Sequence, residues 1–157
     1  MGNREIIISV IGGHEISHEV ENLAHLVGGM IAKVGCVLLC GGLKGAMEAA
    51  CKGAQEAGGK TIGVLPGINK REANPYVDIA LPTSIGYSRN IIVACSADII
   101  VALPGSHGTN SEICYGLVYK RPVIDLGHWN IEGMIPAQNV QEAESIIRDM
   151  VQQIRSA

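Results

Sequence analysis

The stretch SADIIVALPGSHGTNSEICYGLVYKRPVIDL, Ser96 to Leu126, decides how the chain folds. An apolar run, DIIVALP (98–104), leads into a loop carrying Pro104, Gly105, Ser106, Gly108, Thr109, Ser111 and Glu112. A helix-like segment follows, and then a second apolar run, PVIDL (122–126). Ile and Val in unbroken runs, without polar alternation, are the pattern of strands buried on both faces of a parallel sheet. Strand, glycine turn and helix, followed by another strand, make a βαβ unit.

The same order recurs along the chain. Further strands are expected at 5–11, 36–40 and 61–66. Helical spacing appears at 15–33, where Val20, Leu23, Ala24, Val27 and Ile31 recur at three- and four-residue intervals. It appears again at 46–57, 88–96, 112–119 and 139–154. The alternation predicts an α/β fold, a three-layer Rossmann-like arrangement with a doubly wound, mainly parallel sheet. Residues 1–157 read as a single domain. The irregular segment 67–86 is expected to form a flexible flap or an edge strand.

Composition narrows the partners. A chain of 157 residues, 47% hydrophobic and 17% charged, can bury a core without disulfide or metal staples. The net charge is −3, no run of Lys or Arg occurs, and aromatics are scarce. These features argue against polymeric nucleic acid as a partner. The five Cys (36, 40, 51, 95 and 114) are odd in number and form no Cys-x-x-Cys. They read as small core residues of a reduced, cytoplasmic protein. No signal peptide is evident, and no apolar stretch approaches the roughly 18 residues of a membrane span. Gly2 stands where a myristoyl group is attached in other proteins, but Arg4 and Glu5 lead straight into a strand, and no lipid is expected. The apolar surplus suggests a homo-oligomer, dimer or tetramer, in which a second copy covers part of the surface.

Ligands of an open parallel sheet bind outside the carboxyl ends of its strands. Three strands here end in glycine loops: IGGHE (11–15), CGGLKGAME (40–48) and LPGSHGTNSE (103–112). Gly12 and Gly13 belong to the first. Gly41, Gly42, Lys44 and Gly45 belong to the second. Pro104, Gly105, Ser106, Gly108 and Thr109 belong to the third. Close-approaching backbone and free amides at the following helix suit a small phosphorylated ligand. The same residue types also begin helices without binding anything. None of the loops fits the dinucleotide or Walker patterns.

Two charged residues accompany the loops. Thr109-x-x-Glu112 has capping-box spacing, so Glu112 is either a helix cap or a chemical group. Arg89 is either a solvated helix residue or a cation at the sheet mouth. His14, His18 and His25 lack further ligands at defined spacing, and no metal site is expected. His14, at a strand exit, can still reach a ligand. Asn139-x-x-Glu142 is a second capping box, at the start of the last helix.

GGLKGAMEAA (41–50) and SRNIIVACSADIIVALPGSHGTNSE (88–112) resemble the lysine decarboxylase-like, or Lonely Guy (LOG), family. Its wider superfamily takes in molybdenum-cofactor carrier proteins and the DNA-processing protein A domain. The resemblance covers roughly the whole chain. It implies that Arg89 and Glu112 are the catalytic pair of a nucleoside 5′-monophosphate phosphoribohydrolase, which cleaves the N-glycosidic bond to give base and ribose 5-phosphate. It also implies that the glycine loops hold the ligand's phosphate. No cofactor is then required, and a bound nucleotide or molybdenum cofactor would be a ligand. The chain departs from the LOG pattern in having Arg89-Asn90 for Arg-Lys, Ser106 for a third Gly, and an Ile-Gly-Gly opening for Cys-Gly-Ser. Arg-Asn is similar to the DNA-processing proteins, and the Ile-Gly-Gly opening and compact length to the carriers. The alternatives are therefore a hydrolase, a non-enzymatic molybdenum-cofactor carrier and a single-stranded DNA-binding module.

Overall fold

The computed structural model describes residues 3–157, so Gly2 lies outside the described residues. Seven strands form one sheet: β1 (Ile7–Ile11), β2 (Val37–Cys40), β3 (Thr61–Leu65), β4 (Ile79–Pro82), β5 (Ile99–Ala102), β6 (Val123–Asp125) and β7 (Ile135–Pro136). Five helices accompany them: α1 (His18–Lys33), α2 (Ala46–Glu56), α3 (Asn90–Cys95), α4 (His107–Val118) and α5 (Val140–Ser156). The spatial order is β4-β3-β2-β1-β5-β6-β7, and every pairing is parallel. The expected three-layer, Rossmann-like α/β fold is the observed one.

Alternate residues of each central strand enter opposite cores, as a period of two requires. Ile8, Val10, Leu38, Val101 and Leu103 pack with α1, α2 and α5. Ile11, Leu39, Ile100 and Ala102 pack with Val93 of α3 and Ile113 of α4. Both faces are thus covered, which is why β1, β2 and β5 lack polar alternation. Helices α1 and α2 meet at backbone distance. A Cβ on Gly28 would overlap the Ala50 carbonyl, and one on Gly53 would overlap that of His25.

Several element bounds differ from the sequence reading. Helix α1 starts at His18 rather than Glu15, because the Ser17 hydroxyl accepts from the Val20 amide at 3.2 Å and caps it there. Segment 67–86 contains a short 3₁₀ turn (Lys70–Glu72) and the edge strand β4, so its edge-strand reading holds. Strand β7 was not expected, since two residues carry no pattern of their own. Cys36, Cys40 and Cys51 are buried as expected, but Cys114 is exposed on α4. At α5, Asn139 caps the Glu142 amide at 2.9 Å, and the Glu142 carboxylate returns to the Gln138 amide at 2.9 Å. No helix is long and apolar enough to cross a membrane among the described residues.

The chain steps outward from β1 through β2 and β3 to β4, then returns to place β5 on the other side of β1. The winding direction therefore reverses between β1 and β5, and open α/β sheets bind ligands outside the carboxyl ends of strands at such a point.

Candidate functional site

The Gly13 amide donates to the Pro104 carbonyl at 2.9 Å and ties the β1 loop to the β5 loop. Beside this tie lies a cavity of about 690 Å³. Its floor is Val10, Ile11, Gly12 and Gly13 from β1. One wall is Gly41, Leu43 and Met47 from the β2 loop and α2. Further lining comes from Tyr87, Arg89 and Asn90, together with Ser106, Gly108, Thr109, Ser111 and Glu112 at the start of α4. His14 and His107 complete the lining.

The three glycine loops contribute unequally. Gly12, Gly13, Gly41, Ser106, Gly108 and Thr109 line this cavity. Pro104 and Gly105 instead line a neighbouring hollow of about 580 Å³, which shares Gly13, His14 and Ser106 with the first. Gly42, Lys44 and Gly45 line neither. Gly42 (φ +77°) packs against Leu65, and Gly45 (φ +70°) lies under the Gly13 and His14 carbonyls. Both adopt left-handed backbone to turn the loop into α2. Lys44 is exposed on the outside of that turn. Of the two distal histidines, His18 is exposed and His25 pairs with Glu56 at 2.7 Å.

The capping-box reading of Glu112 is overturned. Helix α4 begins at His107 with Ser106 as its N-cap, so Thr109 and Glu112 both lie inside the helix. The spacing was read one turn late, because Pro104-Gly105-Ser106 already turns the chain out of β5. The Ser106 side chain does not cap the helix. The amides of the first turn of α4 consequently stand at the cavity without an intrahelical partner. Gly105 makes room for this turn, since a Cβ there would overlap Thr109 Oγ1.

Arg89 is not a solvated helix residue. It ends a 3₁₀ turn (Gly86–Arg89), and among the described residues it is the only Lys or Arg that is buried, 6% exposed. Its Nε donates to the Val64 carbonyl at 2.8 Å, its Nη1 to Asn90 Oδ1, and its Nη2 reaches the Gly41 carbonyl at 3.4 Å. Burial lowers its pKa from the ordinary value, with Glu112 opposing that shift. All of these partners are neutral, and Arg89 forms none of the ion pairs found among the described residues. A buried cation without a counter-charge is costly, so an anion in the cavity would relieve it.

Glu112 is buried as well, and its carboxyl has no hydrogen-bond partner among the described residues. Asp125 shows the contrast. It too is buried, but it accepts from the amides of Gly127, Trp129 and Asn130 at 2.9–3.1 Å. Without such donors, burial pushes the Glu112 pKa from 4.5 to about 8, and the charge of Arg89 only partly opposes this. At neutral pH the group is therefore mostly a neutral acid that can donate a proton or a hydrogen bond. The cavity thus holds an unpaired cation, an unpartnered carboxyl and a free helix N-terminus, against an apolar wall of Leu43 and Met47.

Tyr87, Leu43, Met47 and His107 line the site without having been singled out from sequence, and so do Asn90, singled out only as a departure from the LOG pattern, and Ser111, named only as a loop residue. Tyr87 and Asn90 flank Arg89, and Ser111 and His107 lie within the glycine stretch. Adjacency to those residues was the signal available. Leu43 and Met47 carried none, because apolar residues beside a glycine turn read as core. Among the described residues no cluster of three His, Cys, Asp or Glu is arranged to hold a metal ion.

Residues 5–155 match the SLOG cluster4 family. The molybdenum cofactor binding protein of the phototrophic bacterium Rippkaea orientalis superposes with a TM-score of 0.88 at 33% identity, over 96% of this chain and 99% of that one. The molybdenum cofactor carrier protein of Chlamydomonas reinhardtii superposes with 0.86 at 34% identity, over 95% and 99%. A cytokinin riboside 5′-monophosphate phosphoribohydrolase of Mycobacterium tuberculosis is 30% identical over 120 residues, 71% of this chain and 64% of that protein. DNA processing protein A of Helicobacter pylori shares the fold, at 16% identity and a TM-score of 0.69. The resemblance read from the glycine motifs and this match over nearly the full length agree: the chain belongs to the SLOG cluster4 family.

Proposed function

We propose that the chain is a non-enzymatic carrier that holds a small phosphorylated ligand of the pterin-nucleotide kind, such as molybdenum cofactor. The phosphate sits between Arg89 and the first turn of α4. The observation that carries this reading is the buried guanidinium of Arg89, which faces the cavity with neutral partners only. A phosphate supplies its missing counter-charge, and the free amides from Ser106 to Thr109 complete the cradle. Leu43 and Met47 offer a dry wall to a flat ring system. The likeness to two molybdenum-cofactor proteins at about a third identity supports this ligand class.

A second reading is favoured by Glu112. In it, the cavity hydrolyses a nucleoside 5′-monophosphate: the bond from C1′ to the base nitrogen breaks, and water adds at C1′. A Glu112 that is protonated at neutral pH would deliver its proton to the departing base as general acid, and its carboxylate would then take up the proton released by the adding water. Asn90 in place of the LOG lysine leaves that site with one cation fewer, which weighs toward the carrier.

A homo-oligomer, dimer or tetramer, belongs to the same proposal. Tyr115 and Val118 on the last turn of α4 and Tyr119 at its C-cap lie exposed at three- and four-residue spacing. Such a stripe suits burial against a second copy.

The test is to purify the protein from cells that make molybdenum cofactor, then quantify bound pterin and any base released from nucleoside monophosphates. Near-stoichiometric pterin without base release is the expected result. Base release that disappears in Glu112→Gln would establish the hydrolase, and neither pterin nor base would remove both readings.

A further inference from the structure

Asn90 is 3% exposed, and its side chain caps no helix of its own. Its Oδ1 accepts from Arg89 Nη1. Its Nδ2 donates to Ser111 Oγ at 3.1 Å and reaches the Gly108 carbonyl at 3.4 Å. The Ser111 hydroxyl donates in turn to the Gly108 carbonyl at 2.6 Å. Asn90 therefore bridges the turn that carries Arg89 and the turn that opens α4.

The chemistry of the partners fixes the orientation of the amide. A guanidinium can only donate, and a carbonyl can only accept. The bridging group must present an acceptor on one side and a donor on the other, within the reach of one short side chain. Aspartate would satisfy Arg89 but turn lone pairs toward the Gly108 carbonyl, and it would neutralise the guanidinium. Leucine has a similar shape and neither group. Lysine offers no acceptor and adds a second cation.

We propose that Asn90 is a positioning residue: it ties the Arg89 guanidinium to the first turn of α4, so that the cation and the helix amides stand ready as one anion receptor before a ligand enters. This deepens the phosphate reading of the cavity and rests on it. The Val64 carbonyl holds Nε, the Asn90 amide holds one hydrogen of Nη1 and the Gly41 carbonyl, at 3.4 Å, meets one of Nη2, which leaves one hydrogen on each Nη for the ligand. Ordering achieved in the empty protein does not have to be supplied on binding, and this is the source of the affinity gain.

The test compares wild type with Asn90→Leu, Asn90→Asp and Asn90→Gln, using AMP as the phosphate-bearing probe in calorimetry. A second readout is the solvent exchange of the Arg89 Nε–H, followed by nitrogen-15 NMR. In the wild type that proton is expected to exchange slowly. Asn90→Leu and Asn90→Asp are expected to weaken AMP about tenfold or more, the scale of a lost charged hydrogen bond. Asn90→Leu also speeds the exchange, and Asn90→Gln, which keeps both functions, regains part of the affinity. Should Asn90→Leu not fold, Ser111→Ala removes one partner of the bridge and carries the same comparison. Unchanged AMP affinity together with unchanged Nε–H protection would overturn the proposal. If the wild type binds no AMP, the ligand reading is lost for nucleotides. The exchange rate still decides the positioning role: equal protection in Asn90→Leu refutes it, and faster exchange supports it.

Discussion

Arg89 donates through Nε to the carbonyl of Val64 at 2.8 Å, so the buried cation is anchored on backbone at the end of β3 rather than on a carboxylate. A carboxylate partner would have satisfied the charge within the protein. Backbone and amide partners hold the group in place while leaving its charge for whatever enters the cavity.

Gly41 is held to glycine by that guanidinium. A Cβ at this position would lie 2.6 Å from Arg89 Nη2 and 2.9 Å from Met47 Sδ. Gly41→Ala therefore shifts Arg89 off its seat. Phosphate-ligand affinity is expected to fall about tenfold, while stability changes by only about 1 kcal/mol, because both neighbours are ends of flexible side chains. Titration alongside thermal melts separates the two effects. A large loss of stability with unchanged affinity would contradict the assignment.

Glu112 makes stability depend on pH with a definite sign. The group titrates near 4.5 when unfolded and near 8 in the fold. Below 4.5 both states hold the proton, and the contribution is fully present. Between these values the unfolded chain releases its proton first, so stability falls as pH rises and levels off above about 8. The slope is at most about 1.4 kcal/mol per pH unit. Glu112→Gln removes the fall. Urea unfolding at about pH 5 and about pH 9 is expected to show the variant gaining on the wild type at the higher pH. Parallel curves would mean that Glu112 is ionised in the fold.

The contact of α1 with α2 predicts a cost unrelated to the site. Gly28→Ala drives a methyl group into the Ala50 carbonyl, which is backbone and cannot swing aside. The expected loss is about 1–3 kcal/mol or more. Denaturant titration measures it, and a variant as stable as the wild type would show that the two helices do not approach as described.

The apolar stripe on α4 predicts association. Val118 is 71% exposed, between the exposed Tyr115 and Tyr119. Val118→Asp is expected to lower the mass seen by light scattering without lowering the melting temperature of the monomer. A wild-type protein that is monomeric at micromolar concentration would remove the oligomer from the account.

The sheet was legible because its central strands are buried on both faces, so β1, β2, β3, β5 and β6 each show as a short, mainly apolar run without regular polar alternation. Strand β7 and the 3₁₀ turn before α3 were not legible: β7 is two residues set by pairing with β6, and a turn of four residues is too short to show a helical period. Within the site, Arg89 and Glu112 stood out as charges beside glycine loops. Their burial did not show, because nothing local tells a helix cap from a helix-interior carboxyl. The Thr109-x-x-Glu112 spacing pointed the wrong way for that reason: the true N-cap, Ser106, was hidden inside the loop. Lys44 misled in the opposite sense. A cation in a glycine loop reads as a ligand group, yet the left-handed turns at Gly42 and Gly45 leave it on the outer surface.

The most direct test of the central claim is a crystal structure with a phosphate monoester, AMP, bound. The account predicts the phosphate within about 3 Å of an Arg89 Nη atom and of amides in the first turn of α4. A phosphate seated in the neighbouring hollow beside Pro104 and Gly105, with Arg89 closed onto Glu112, would contradict it.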